Sequence, residues 1–203
     1  MSKSLVKSTS VVISMTMISR VFGFLRDMVT ANLFGASAAF DAFSVAFKIP
    51  NFMRRLFAEG SFSQAFVPVL SEYQKKKTLA EVQQFVNAMA GTLGVSLLLV
   101  TVLGVVFAPW IVKLFAPGFE TQGQRYDLAV TMLRINFPYL MLISLTAFSG
   151  AILNTYSRFW VAAFTPVFLN ITMIIAAIYF SPQFATPIIA LAWGVVVAGV
   201  IQL

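Results

Sequence analysis

The stretch FWVAAFTPVFLNITMIIAAIYFSPQFATPIIALAWGVVVAGVIQL, residues 159–203, contains no Asp, Glu, Lys or Arg. A bilayer's hydrocarbon core is about 30 Å thick and a helix needs roughly 20 apolar residues to cross it. This run is therefore long enough for two crossings, and SPQFATP at 181–187 supplies a Pro-bearing turn between them. Two more stretches, 82–112 and 135–157, are equally free of those four residues. The whole chain is 59% hydrophobic and only 10% charged, with a mean hydropathy of +0.88. A soluble domain is typically about one-quarter charged. These features describe an all-α, polytopic membrane protein. The apolar runs are continuous rather than alternating, which argues against a β-barrel.

The charge-free runs and their flanks predict six helices, at about 8–33, 36–72, 80–112, 126–155, 160–180 and 186–203. The second would extend roughly 55 Å as a straight helix, too long for one crossing. Pro50, Pro68 and Gly60 predict a bend, with the later part, EGSFSQAFVPVLSEYQKKK, running along or out of the cytoplasmic interface. Basic residues in short loops set orientation. Lys3, Lys7, Lys75, Lys76, Lys77 and Arg158 fall on one side, against Lys113 and Arg125 on the other, where Glu120 and Asp127 accompany them. The N-terminus is expected in the cytoplasm, and six crossings return the chain there. An N-terminal cleavable signal is disfavoured, because Arg20, Arg26 and Asp27 interrupt the apolar region before the small residues at 36–38. Leu203 ends an apolar run with no terminal charge, so the sequence is expected to be the N-terminal part of a longer chain.

The formal charge is +7, but the basic residues lie at helix ends or inside spans and form no surface stripe, which argues against nucleic-acid binding. Cys and His are both absent. That excludes disulfides, thiolate–imidazole metal sites and any Ser–His dyad, and no cofactor or metal is expected.

Charges inside the spans carry the functional signal. Within SRVFGFLRD, residues 19–27, lie Arg20, Arg26 and Asp27. The second span holds Asp41, Lys48, Arg54, Arg55 and Glu59, and the fourth holds Arg134. A central Arg, Lys or Asp costs roughly 2.5–3.5 kcal/mol on insertion scales, so such groups need partners, water or a ligand. Residues seven apart share a helix face to within about 20°, which groups Arg20 with Asp27 and Asp41 with Lys48 and Arg55. Asp27 is read as a structural partner of Arg20 or Arg26. Asp41 and Lys48 are read as either a structural pair or gating residues, and Glu59 as the partner of Arg55 four positions back. Arg26 and Arg54 lie off these stripes, and Gly23 and Pro50 offer distortions that would swing them inward. Arg54 and Arg55 have the alternative of snorkelling to the cytoplasmic interface, and Arg134 to the outer one. These nine residues comprise six positive and three negative. That excess suits an anionic, phosphate-bearing ligand, since guanidinium is always charged and binds phosphate oxygens bidentately. Asn136, Asn154 and Asn170 are read as helix–helix glue, and Gly150 and Gly194-x-x-x-Ala198 as sites of close packing.

The wording of the chain adds to this. SRVFGFLRD, FGASAAFDAFSVAFKIPNFMRRLFAEGSFSQAFVPVLSEY, APWIVKLFAPGF and NFPYLMLISLTAFSGAILNTYSRFWVAAFTPVFLNI closely resemble the MurJ (MviN) family, bacterial lipid II flippases of the multidrug/oligosaccharidyl-lipid/polysaccharide exporter superfamily. The resemblance covers essentially the whole chain, and PNFMRRLFAEGSFSQAFVP is its most specific part. It implies one six-helix lobe of a two-lobed alternating-access transporter in the bacterial inner membrane, with the C-terminal lobe of the same protein as partner. It implies movement of undecaprenyl-pyrophosphate-linked peptidoglycan precursor from the cytoplasmic to the periplasmic leaflet. It further implies a cationic cavity whose essential residues match Arg20, Arg26, Asp41 and Arg54. Under that reading Arg20, Arg26 and Arg54 bind the pyrophosphate, and Asp41 orients an arginine or responds to protonation.

Three rivals are separable on chemistry. A cation-coupled drug exporter of the same superfamily would favour acidic cavity residues, against the excess of Arg. An intramembrane hydrolase would need a nucleophile with a base or a metal. A non-transporting helical assembly module would tolerate loss of the arginines' charge.

Overall fold

The computed structural model describes residues 3–55, 61–121, 123–156 and 158–203, with side-chain burial described from residue 10 and, after the break, from residue 65. Among these residues every regular element is helical. α1 (Lys3–Phe34) is followed by α2 (Ala38–Arg54), α3 (Ser61–Lys76), α4 (Leu79–Val106), α5 (Ala108–Phe115), α6 (Gly123–Thr155), α7 (Phe159–Ile175) and α8 (Ile189–Gln202). A helix satisfies its backbone hydrogen bonds internally, which is what a lipid solvent demands. α4, α6 and a continuous segment from α7 through Gln183 are each long and apolar enough to cross a membrane. α1 has the length, at 32 residues, but its apolar pattern is broken by charge.

Local chemistry sets the boundaries. Gly35 adopts φ +58°, a left-handed conformation that glycine reaches without a Cβ penalty. Ser37 then caps α2, its hydroxyl accepting from the Phe40 N–H at 3.2 Å. α4 opens on a capping box in which Thr78 and Glu81 each accept from the other's backbone N–H. Of the helix expected over 36–72, the described residues include α2 and α3, while Gly60 and the stretch 56–59 fall outside the described residues. α3 is amphipathic. Phe66 and Leu70 are buried against Val82 of α4 and Phe148 and Ala151 of α6, while Tyr73 stacks on Phe85 at 4.6 Å between ring centroids. That burial holds α3 against the ends of its neighbours. The expected helix at 80–112 divides at Phe107 (φ −88°, ψ 10°), where Pro109 opens α5. α7 widens into a π-helical turn over Ala176–Phe180 before Pro182 ends it, and α8 starts at Ile189 rather than 186. Pro50, Pro138 and Pro166 sit inside α2, α6 and α7.

α6 is the axis. It packs against α2, α3, α4, α5, α7 and α8, and Met132, Leu133, Phe137, Tyr139 and Leu140 are buried along it. Its neighbours approach closely because they are small at the contacts. A Cβ on Gly104 of α4 would fall 2.0 Å from the Phe137 ring, and one on Gly199 of α8 would fall 2.9 Å from Tyr139. Gly194 plays the same part between α8 and Ala176, at 2.7 Å. α4 meanwhile leaves Val95, Leu98, Leu99, Val102 and Val106 exposed, as expected of a face turned to lipid. α1 lies chiefly along α7.

Gly104→Leu is expected to push α4 off α6 and to cost about 1–3 kcal/mol, the usual effect of overpacking a filled interface. A fall in the detergent melting temperature measures this. Gly91→Ala, with nothing within 4 Å of the added carbon, serves as the control that stays at or above the parent value.

Candidate functional site

α1 runs unbroken through Gly23, so Gly23 does not distort the helix. It faces α7, where a Cβ would lie in ordinary contact, 3.7 Å from the Asn170 side-chain nitrogen. One turn of this contact organises Arg26. Its Nε and Nη2 both donate to Asp27 Oδ1, at 3.0 and 2.7 Å, and its Nη1 donates to Asn170 Oδ1 at 3.0 Å. The Asn170 Nδ2 donates onward to the Ser19 carbonyl at 3.2 Å. The buried amide thus ties α7 to α1 twice, while the Arg26 guanidinium is only 21% exposed and Asp27 stays 67% exposed. Asp27 therefore neutralises Arg26 in this structure. Arg20 is exposed and forms no ion pair among the described residues.

The expected Asp41–Lys48 pair is replaced by a different one. Asp41 Oδ2 meets Arg125 Nη2 at 3.2 Å, and the Arg125 guanidinium carbon stands 5.2 Å from the centre of the Phe119 ring. Asp41 occupies the first turn of α2, beside the start of α6, whereas Lys48 lies two turns further along and is exposed. Tertiary proximity overrides the shared face. Arg55 is exposed, its anticipated partner Glu59 falls outside the described residues, and Arg134 is exposed on α6.

Arg54, the last residue of α2, lines a cavity of about 330 Å³ between α2, α6, α7 and α8. Asn51, Tyr139, Thr146, Asn154, Thr165 and Gln202 are the other lining residues with polar side chains, and Pro166 and Leu169 of α7 line it too. Leu169 is the chain neighbour of Asn170. Consecutive residues of α7 therefore serve Arg54's cavity and Arg26's hydrogen bond. Among the described residues no group of His, Cys, Asp and Glu could hold a metal ion.

Asn170, read as helix glue, does join α7 to α1 and also holds Arg26, whereas Arg125, counted only as a loop charge for orientation, pairs with Asp41. The signal for Asn170 is its place in a charge-free span, where a polar amide flanked by Leu169 and Ile171 demands a partner. Nothing local singles out Arg125.

The family model described as "Lipid II flippase MurJ" matches residues 30–203. The probable lipid II flippase MurJ of Vibrio cholerae serotype O1 is 47% identical, covering 99% of this chain and 40% of its own length. The lipid II flippase MurJ of Burkholderia cenocepacia is also 47% identical, over 92% of this chain and 36% of its own. A solved structure, "Lipid II flippase MurJ, inward closed conformation", superposes with a TM-score of 0.76 at 31% identity, covering 94% of this chain and 40% of that one. The chain spans about two-fifths of the length of these relatives. By sequence over nearly its full extent, and by fold, it belongs to the lipid II flippase MurJ family.

Proposed function

We propose that this chain forms the N-terminal six-helix transmembrane lobe, residues 1–203, of a lipid II flippase, with α3 and α5 as short helices appended to the six crossings. The lobe would act with a C-terminal lobe of the same protein, within the lipids of the bacterial inner membrane. The observation that carries the reading is that Arg26 is held on Asn170 of α7 while Arg54 lines a cavity that the neighbouring Leu169 also lines. Guanidinium groups held this way suit the pyrophosphate of an undecaprenyl-linked peptidoglycan precursor. Arg20, exposed on the same helix as Arg26, joins them as a third pyrophosphate ligand from the side open to the partner lobe.

The work is transport rather than catalysis. The head group crosses through a cationic cavity while the isoprenoid tail stays in lipid, and rocking of one lobe against the other exposes the site to each leaflet in turn. Asp41 acts through Arg125 at the opposite end of α2 from Arg54, where it serves as a gate latch. Lys48, Asp27, Arg55 and Glu59 tune charge along the two helices. The Lys75–Lys77 cluster and Arg158 mark the cytoplasmic end, which Gln74 and Thr155 tie together by a 2.9 Å hydrogen bond. The N-terminus then lies in the cytoplasm.

Native mass spectrometry of the full-length protein with lipid II and undecaprenyl monophosphate tests the pyrophosphate site. Arg26→Gln and Arg54→Gln are each expected to reduce the preference for lipid II roughly ten- to hundredfold, the scale of a lost charged hydrogen bond. Unchanged preference in both would reject the site.

Asn170 is a positioning residue for Arg26. Asn170→Ala should reduce the same preference about three- to tenfold. Asn170→Asp, which keeps an acceptor oxygen for Arg26 but loses the donor to Ser19, should retain more of it. Equal losses in the two would make the residue helix glue alone.

A further inference from the structure

α5 lies at the end of the charge-free run 82–112, and Lys113 within it is the first Asp, Glu, Lys or Arg after that run. One face of this short helix is fixed. Ala108 and Val112 are fully buried in the core, and the Tyr126 hydroxyl of α6 donates to the Pro109 carbonyl at 3.0 Å. The other face is bare. Trp110 is 69% exposed and Leu114 78%, with Phe115 exposed beside them. Trp110 and Leu114 prolong the apolar stripe that α4 presents along Val95, Leu99, Val102 and Val106, at the same three- and four-residue spacing.

The charges beside this face form a small closed set. Lys113 Nζ lies 2.9 Å from Glu120 Oε1 and 5.7 Å from the centre of the Trp110 ring. The ammonium thus meets both a carboxylate and an indole, and the ion pair sums to zero. An anion alone would gain Lys113 but meet the Glu120 carboxylate. A cation alone would gain Glu120 and the indole face but meet Lys113. A zwitterion with a phosphate and an ammonium a few bonds apart matches both. A phospholipid head group is such a zwitterion, and it arrives with apolar chains for Leu114, Phe115 and the α4 stripe to meet. Trp and Lys at the end of a span are also the residue types that settle at the head-group level.

We propose that α5 docks on the head-group layer of the periplasmic leaflet and that Trp110, Lys113 and Glu120 bind a zwitterionic phospholipid there. The phosphate sits on Lys113, and the ammonium on Glu120 and the indole face. The choice of leaflet rests on the reading above that places the N-terminus in the cytoplasm.

The test reconstitutes the full-length protein, in a background without other cysteines, into vesicles of phosphatidylethanolamine and phosphatidylglycerol. Bimane is attached in Leu114→Cys and, as an aqueous reference, in Thr121→Cys. Lipids bearing a nitroxide near the head group or near the chain end read depth, and iodide reads water. The label at 114 is expected to be quenched roughly twofold more by the shallow nitroxide than by the deep one, and roughly threefold less by iodide than the label at 121. Stronger quenching by the deep nitroxide would make α5 a plain continuation of the α4 span. Iodide quenching equal to that at 121 would put it in water, and protection from iodide and both lipids would mean that the rest of the protein covers it. Each of these overturns the docking.

Native mass spectrometry reads the head group. Lys113→Gln/Glu120→Gln keeps net charge and side-chain size, and is expected to lower phosphatidylethanolamine retention roughly threefold, the scale of an exposed ion pair, with phosphatidylglycerol retention unchanged. Equal loss of the two lipids, or no loss, overturns the zwitterion site. A membrane-impermeant maleimide on intact cells reads the leaflet, and it is expected to label Thr121→Cys without lysis. Labelling only after lysis would overturn the orientation, and with it the periplasmic leaflet, while the depth and head-group results decide the docking by themselves.

Discussion

Phe137 occupies the space that a side chain at Gly104 would need, and the rest of the bundle depends on contacts of that kind. In lipid there is little hydrophobic reward for bringing two helices together, because the tails are as apolar as leucine. Association then rests on dispersion between surfaces that fit closely. α6 can be the common neighbour of six helices because Gly104, Gly150 and Gly199 let backbones come near it. Its central position orders everything polar. α2 reaches it with Arg54 at one end and Asp41 at the other, and α7 brings Asn170 to α1.

The sequence revealed the fold through what it lacked. Runs without charge placed α4, α6, α7 and α8 within a few residues, since twenty apolar residues in a row have few other fates. The divisions were harder to see. Phe66 and Leu70 of α3 bury against α4 and α6, a tertiary gain that a single-helix pattern does not register. Phe107 divides α4 from α5 at a proline whose effect depends on whether its neighbours continue the helix or begin a new one.

The charges show the same division. Their excess of positive sign was legible. Partner choice was not. Periodicity reports which residues share a face of one helix, but Asp41 is matched by Arg125 and Arg26 by Asn170. Those pairs join positions 84 and 144 apart in the chain, as their numbers show. Such matches follow from how helices stack. Adjacent residues Arg26 and Asp27 were also drawn together through side-chain length rather than helical phase, since both ends of the pair bend toward one another across the helix surface.

The double attachment of Asn170 has a mechanical consequence. Its oxygen holds a guanidinium and its nitrogen holds the Ser19 carbonyl, so one amide plane fixes both the arginine and the seating of α1 on α7. A ligand that draws Arg26 away removes one of the two forces orienting that plane, and the bond to Ser19 weakens with it. Occupancy at the guanidinium and slackening of the α1–α7 seam are then the same event seen from two sides.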